Sequence, residues 1–152
     1  MGEEYEYWYP VKAPEESYID VEIFRNNCGT KIQVFGETHK IIIHFEGVLI
    51  GLQISMETAR MGTIGGYQKK LDNRAYFAKW PLYKVKNSNY SKWFIKESCG
   101  IYTEQELYHY CIISDDDIID ILTYYQPKVS SEPLPVTFWE KHNAGDDSSA
   151  LK

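Results

Sequence analysis

The chain has 152 residues, 43% of them hydrophobic and 25% charged, so it is long enough to bury a core as one domain without disulfides or a metal. Its three cysteines form no CxxC pair, which favours a reducing cytoplasm over a disulfide framework. The N-terminus is acidic where a signal peptide would be basic, and no apolar run approaches the length of a membrane span. We therefore expect a soluble, cytoplasmic protein without a cofactor and without a membrane partner.

Charge is distributed unevenly along the chain. Residues 60–96 carry nine Lys/Arg and one acid, Asp72, whereas the other 115 residues carry seven Lys/Arg and 21 Asp/Glu. These counts give the two parts formal charges of +8 and −14. Such a division bears on the choice of partner more than on the fold. The basic part is interleaved with Tyr and Trp, as in proteins that bind single strands, but the acidic remainder would repel phosphate and argues against nucleic acid as a partner.

The first predicted elements are strands. An acidic lead-in at 1–17 is followed by alternating polar and apolar residues, which predict strands near 19–23, 31–35, 40–45 and 48–54. Because the intervening turns are short, including a tight hairpin at Glu46-Gly47, we expect an antiparallel meander.

The next segment is less regular. Residues 56–73 contain three glycines within a short stretch and predict a mobile loop, since they match neither a phosphate loop nor a dinucleotide fingerprint. Strand character resumes at 74–86. Pro81 within that strand predicts a sheet edge or a bulge, because proline cannot donate to a strand ladder.

The second half predicts helices around one strand. Ser88 caps a helix through Glu97, which Cys99-Gly100 ends; Thr103–Glu106 forms a capping-box pattern, and Leu107–Ile113 is typical of a buried strand. Ser114 and the three aspartates after it predict a further helix that stops before Pro127. We expect one α+β domain at 18–139, with an antiparallel meander of five to six strands and two or three helices on one face, and a polar, disordered tail at 140–152.

Residue spacing predicts no catalytic or metal site. His109 and Cys111 lie two apart on a predicted strand, which supplies at most half of a zinc site, and packing is the simpler interpretation. No GxSxG nucleophile motif occurs, and the aspartates around 115–120 lack the spacing of a calcium loop. We therefore predict no catalytic residue and no metal ligand.

Carboxylates are the predicted contacts to a partner. On the predicted helix after Ser114, Asp116 and Asp120 lie four residues apart and opposite the apolar face, so we expect both to face solvent, where a basic partner would meet them. Together with the acids of the capping box, they form the predicted partner surface: Glu104, Glu106, Asp115, Asp116, Asp117 and Asp120.

Segment 88–127 contains Trp93-Phe94, the strand start Leu107/His109-Tyr110, and Asp120-Ile121-Leu122 before Pro127. In these features it resembles small bacterial immunity proteins, which protect cells against their own contact-dependent or other polymorphic toxins. It implies a cytoplasmic α+β domain that blocks a toxin's catalytic domain by protein contact and has no chemistry of its own. An acidic surface would suit a basic nuclease toxin because it mimics the charge of phosphate.

Two alternatives remain open. An enzymatic or small-ligand domain would use the Gly62–Gly66 loop as a lid and His109 in its pocket, and a deep pocket lined by His109 and a carboxylate would favour it. A structural or adaptor subunit would use the basic part to bind an acidic partner or another copy of itself. The sequence does not predict the oligomeric state.

Overall fold

The computed structural model describes residues 2–103 and 107–142, which form two antiparallel sheets together with helices, so the predicted α+β class is confirmed. A 3-10 turn at Glu57–Arg60 leads directly into α1 (Met61–Leu71), and α2 spans Asn89–Glu97. Residues 138–142 are also helical. The strands are β1 (Glu4–Tyr7), β2 (Tyr18–Asn26), β3 (Gly29–Gly36), β4 (His39–Phe45), β5 (Gly51–Met56), β6 (Leu82–Lys86), β7 (Tyr108–Ile113), β8 (Asp117–Thr123) and β9 (Lys128–Pro133).

The strands divide into a five-stranded sheet in the order β1-β6-β7-β8-β5 and a four-stranded sheet in the order β2-β3-β4-β9. The predicted meander is confirmed for β2, β3 and β4, which are consecutive neighbours. It does not continue through a hairpin at Glu46-Gly47 as predicted, because β5 crosses to the other sheet and pairs with β8, while β9 takes the place beside β4. Alternation along a strand identifies its faces but not its partner.

The two sheets pack face to face, and α1 covers part of the outer face of the five-stranded sheet. The core between the sheets includes fully buried branched residues from both, namely Ile32, Ile41 and Ile43 from one and Leu82, Ile112 and Ile121 from the other. On the outer face, Ile64 of α1 and Phe77 lie in a second cluster with Tyr5, Tyr83 and Cys111. The layers are therefore helix, five-stranded sheet and four-stranded sheet.

Strand β8 occupies the segment where the sequence predicts a helix, and that prediction was wrong. β8 lies between β7 and β5 and is buried on both faces, with Ile118 toward α1 and Ile119 toward the other sheet. A strand buried on both faces is apolar at nearly every position, so it also satisfies helical spacing. The polar residues before it form the β7–β8 turn, in which the Ser114 backbone N–H donates to the Asp117 carbonyl at 2.9 Å.

Two further segments differ from expectation. The predicted mobile loop at 56–73 is instead the 3-10 turn and α1, where burial of Ile64 against the sheet outweighs the low helix propensity of glycine. The predicted edge strand is interior, because Pro81 precedes β6 and the acidic lead-in supplies β1, which pairs along it. The prediction for α2 is confirmed in detail: Ser88 Oγ accepts from the Ser91 backbone N–H at 2.9 Å.

None of the helices in residues 2–103 and 107–142 has the length and apolar character needed to cross a bilayer.

Candidate functional site

A cleft of about 520 Å³ opens on the outer face of the five-stranded sheet. Side chains of β5, β7 and β8 form its floor, while residues at the start of α1 and α2 form its walls. The lining residues are Glu3, Gln53, Arg60, Thr63, Asn89, Tyr90, Trp93, His109 and Asp120. The cleft therefore combines polar groups on a rigid floor with aromatic rings on one wall.

The floor is centred on a buried pair, His109 and Asp120. In the β7–β8 register Asp120 is opposite Cys111, so His109 lies diagonal to Asp120 on the same face. His109 Nε2 lies 2.7 Å from Asp120 Oδ1, and the two residues are only 4% and 1% exposed. Neighbouring strands thus place an imidazole and a carboxylate in contact away from water.

The other nitrogen of His109 meets the helix cap. Its Nδ1 lies 2.6 Å from Ser88 Oγ, the same oxygen that accepts the Ser91 backbone N–H at the start of α2. In the neutral imidazole whose Nε2–H donates to Asp120, Nδ1 accepts the Ser88 hydroxyl proton. One hydroxyl therefore anchors α2 both to its own first turn and to the sheet.

The other oxygen of Asp120 holds a cation. Arg60 Nη1 donates to Asp120 Oδ2 at 2.7 Å, and the same nitrogen lies 3.4 Å from Ser55 Oγ. Burial alone would raise the pKa of Asp120, but hydrogen bonds and charge from His109 and Arg60 lower it below its ordinary value. The carboxylate is therefore ionised and fully engaged at neutral pH.

These contacts form one continuous chain from Ser88 through His109 and Asp120 to Arg60. The three residue types of a hydrolytic triad are present in hydrogen-bond contact. However, the Ser88 hydroxyl is the cap of α2, and Ser88 is 7% exposed and does not line the cleft. The chain is best described as a buried brace that fixes both helices on the sheet.

Aromatic side chains of α2 form one wall. The Tyr90 ring meets His109 edge-on with centroids 5.7 Å apart, and Trp93 stacks on Tyr90 at 6.3 Å. Tyr90 comes so close to β5 that a Cβ at Gly51 would lie 2.7 Å from its hydroxyl oxygen. Trp93 is 57% exposed, so its ring is available to a partner.

Of the six carboxylates predicted as a partner surface, four lie within the described residues. Glu104 and Glu106 lie outside the described residues. Asp115 and Asp116 are exposed in the β7–β8 turn, and Asp117 is half-buried at the start of β8. The expectation that Asp120 faces solvent was wrong, because strand geometry directs it under the helices, where Arg60 and His109 pair with it.

Several cations of the basic part are engaged within the fold. Arg60 is half-buried against Asp120, Lys86 pairs with Glu6 at 3.0 Å, and Lys84 lies over three aromatic rings. Lys69 and Lys70 are exposed near the end of α1. The charge contrast of the sequence is therefore partly neutralised within the fold.

Sequence reasoning assigned none of Arg60, Tyr90 and Trp93 to a site; it counted all three in the basic part of the sequence and used Trp93 also for the resemblance to immunity proteins. One signal was present for the first of them: Arg60 is the only charged residue between positions 58 and 68. The Gly62–Gly66 segment is not the loop that the enzymatic alternative would use as a lid, since these residues form the first turns of α1 and only Thr63 among them lines the cleft. Within residues 2–103 and 107–142, no three His, Cys, Asp or Glu side chains cluster as metal ligands.

The sequence matches no protein-family model, and neither the curated proteins nor the solved structures contain a significant match to it.

Proposed function

We propose that this protein is an immunity-type inhibitor that binds the catalytic domain of a bacterial toxin in the cytoplasm and neutralises it by protein contact. The resemblance of segment 88–127 to immunity proteins motivates the choice of partner. The surface that we assign to the contact is the cleft between α1 and α2 with its aromatic wall.

The observation that carries this proposal is the composition of the cleft. Arg60, Tyr90 and Trp93 line it together, and Arg, Tyr and Trp are the residue types that dominate binding energy at protein interfaces. The buried brace holds Arg60 against Asp120. It also ties the start of α2, where Tyr90 lies, to His109. A partner would therefore meet a surface that loses little conformational entropy on binding.

Exposed charge at the β7–β8 turn, at one end of the sheet that carries the cleft, supports a basic partner. The exposed Asp115 and Asp116 lie in the β7–β8 turn, and Glu57 is held beside them because its N–H donates to the Asp116 carbonyl at 2.7 Å. Exposed carboxylates attract a cationic toxin domain and raise the association rate, which then falls with added salt.

The test compares alanine variants of two exposed aromatic residues. The protein encoded immediately upstream of this gene, which the proposal predicts to carry the toxin domain, is expressed with the wild-type protein, with Trp93→Ala, or with Phe24→Ala. Trp93 is 57% exposed in the cleft, whereas Phe24 is 55% exposed on the other sheet, so the variants remove similar exposed rings. We expect Trp93→Ala to weaken binding by at least about tenfold and to lose growth protection, and Phe24→Ala to retain both. Equal effects of the two variants would contradict the assignment of the cleft.

A second candidate function is hydrolysis or small-ligand binding in the same cleft. The contact of Ser88, His109 and Asp120 favours it, and so does the lining of the cleft by His109 together with a carboxylate. If Ser88 were an activated nucleophile, a fluorophosphonate probe would label it, and labelling would disappear in His109→Gln. Lack of labelling in the folded wild-type protein would exclude an activated serine and leave Ser88 as a cap.

A further inference from the structure

Within residues 2–103 and 107–142 the two sheets have four edge strands, and one of these strands lacks the usual protection against pairing. β1 carries Glu4 and Glu6, β2 carries three charged residues, and β9 carries two charged residues and Pro133. β5, with the sequence GLQISM, contains neither a charge nor a proline. Charges and prolines on edge strands prevent unwanted strand addition, so their absence from β5 alone marks it as the edge suited to a partner.

The backbone groups on the free side of β5 follow from its register. The Glu57 N–H donates to the Asp116 carbonyl at 2.7 Å, which makes this a hydrogen-bonded pair of the antiparallel ladder. Such pairs alternate along the strand, so Gln53 and Ser55 also point their backbone groups toward β8. The N–H and C=O groups of Leu52, Ile54 and Met56 therefore point away from β8, toward the side of β5 that no other strand of the described residues occupies, which we call the open edge.

Apolar side chains accompany these backbone groups. Ile54 and Met56 are 54% and 65% exposed, although Ile119, the cross-strand partner of Ile54, is buried against the other sheet. The four-stranded sheet thus leaves the last part of β5 uncovered. An added strand would find both a hydrogen-bonding edge and apolar side chains to pack against.

Charge at one end of this edge indicates the chemistry of the occupant. Met56 is opposite Asp117, and Glu57, Asp115 and Asp116 lie at the same end of β5. A strand that runs antiparallel to β5 places its own N-terminal end beside these carboxylates. Basic residues there would be attracted, and acidic residues would be repelled.

We propose that the open edge of β5 accepts an extended strand of a basic protein partner, antiparallel to β5, with cationic residues at the strand's N-terminal end against Glu57, Asp115 and Asp116. The identity of the partner as a toxin domain rests on the proposed function. The inference that this edge binds a strand does not depend on the proposed function.

The test uses a synthetic peptide as the probe. It has two N-terminal lysines followed by alternating threonine and valine and a fluorophore at its C-terminus, and the control peptide has two glutamates in place of the lysines. Fluorescence anisotropy should show binding of the lysine peptide to the wild-type protein and at least about tenfold weaker binding of the glutamate peptide.

Variants at Ile54 separate the edge from other surfaces. Ile54→Pro removes an N–H that faces the open edge and not β8, so the fold should persist while the lysine peptide binds at least about tenfold more weakly. Ile54→Thr keeps the N–H and the β-branched shape, and its affinity should change by less than about threefold. Circular dichroism of both variants checks that the sheets are intact.

Several results would overturn the inference. The first is that the lysine peptide does not bind the wild-type protein, and the second is that it binds folded Ile54→Pro equally well. The third is that the wild-type protein sediments as a dimer which Ile54→Pro dissociates, because the edge would then bind a second copy of the chain. If Trp93→Ala loses toxin protection while Ile54→Pro retains it, the proposed function stands and the strand-binding role fails. If the peptide binds as expected and the toxin domain does not, the proposed function fails alone.

Discussion

Arg60 and Asp120 are 60 positions apart in the chain, yet Nη1 of the arginine lies 2.7 Å from Oδ2 of the aspartate. The contact joins the start of α1 to the centre of a buried strand. Because the other oxygen of Asp120 is bound by His109, one carboxylate organises the floor and a wall of the candidate cleft.

Substitution Asp120→Asn tests this role. It removes the negative charge that compensates Arg60 while nearly preserving the shape of the side chain, and we expect the free energy of unfolding to fall by about 3 kcal/mol. Asp116→Asn in the exposed turn is the control and should change it by less than about 0.5 kcal/mol. Urea denaturation monitored by tryptophan fluorescence measures both. Similar midpoints for the two variants would show that the buried pair contributes no more than a surface charge.

The same carboxylate predicts a dependence of stability on pH. His109 and Arg60 lower the pKa of Asp120 in the folded protein against the opposing effect of burial, so its unfolded-state pKa is the higher one. The corresponding stabilisation is present above the unfolded value, near 3.8, and is lost as the pH falls through the folded value. The difference in unfolding free energy between the wild type and Asp120→Asn should therefore narrow below about pH 4. A constant difference between pH 3 and 7 would contradict this.

Substitution Ser88→Ala removes a hydroxyl with two partners. We expect a loss of about 2 kcal/mol, because the α2 cap and the hydrogen bond to buried His109 disappear together. Hydrogen exchange should quicken first at the amides of α2. Ser88→Thr retains the hydroxyl and should recover most of the stability. A threonine variant as unstable as the alanine variant would mean that packing, and not the hydrogen bonds, accounts for the loss.

Two glycines should respond in opposite ways to alanine. Gly65 lies in α1, where an added Cβ meets nothing within 4 Å, so Gly65→Ala should stabilise the protein by about 0.5–1 kcal/mol. Gly29 has φ +132°, and a Cβ there would lie 2.1 Å from the Phe45 carbonyl oxygen, so Gly29→Ala should cost at least about 2 kcal/mol. Thermal unfolding measures both, and destabilisation by Gly65→Ala would show that α1 is not helical at that position.

The sequence predicted correctly those elements that are specified by residues close together in the chain. Alternation of apolar residues identified β2, β3 and β4, and a capping serine with a terminal glycine identified α2. The same reasoning failed at α1, whose glycines are poor helix formers, and at β8, where burial on both faces removes the difference between strand and helix spacing.

The sequence by itself determined the α+β class, most of the strands and the cap of α2, because each depends on residues within a few positions of one another. Only the tertiary structure decided which sheet takes β5, which edge stays open, and that Arg60, Ser88, His109 and Asp120 meet. Those contacts join residues up to 60 positions apart, and they exist because burial of two apolar sheet faces brings distant strands together. No local pattern in the sequence specifies how the two sheets pack, since the free energy of burying their apolar faces comes from the whole core.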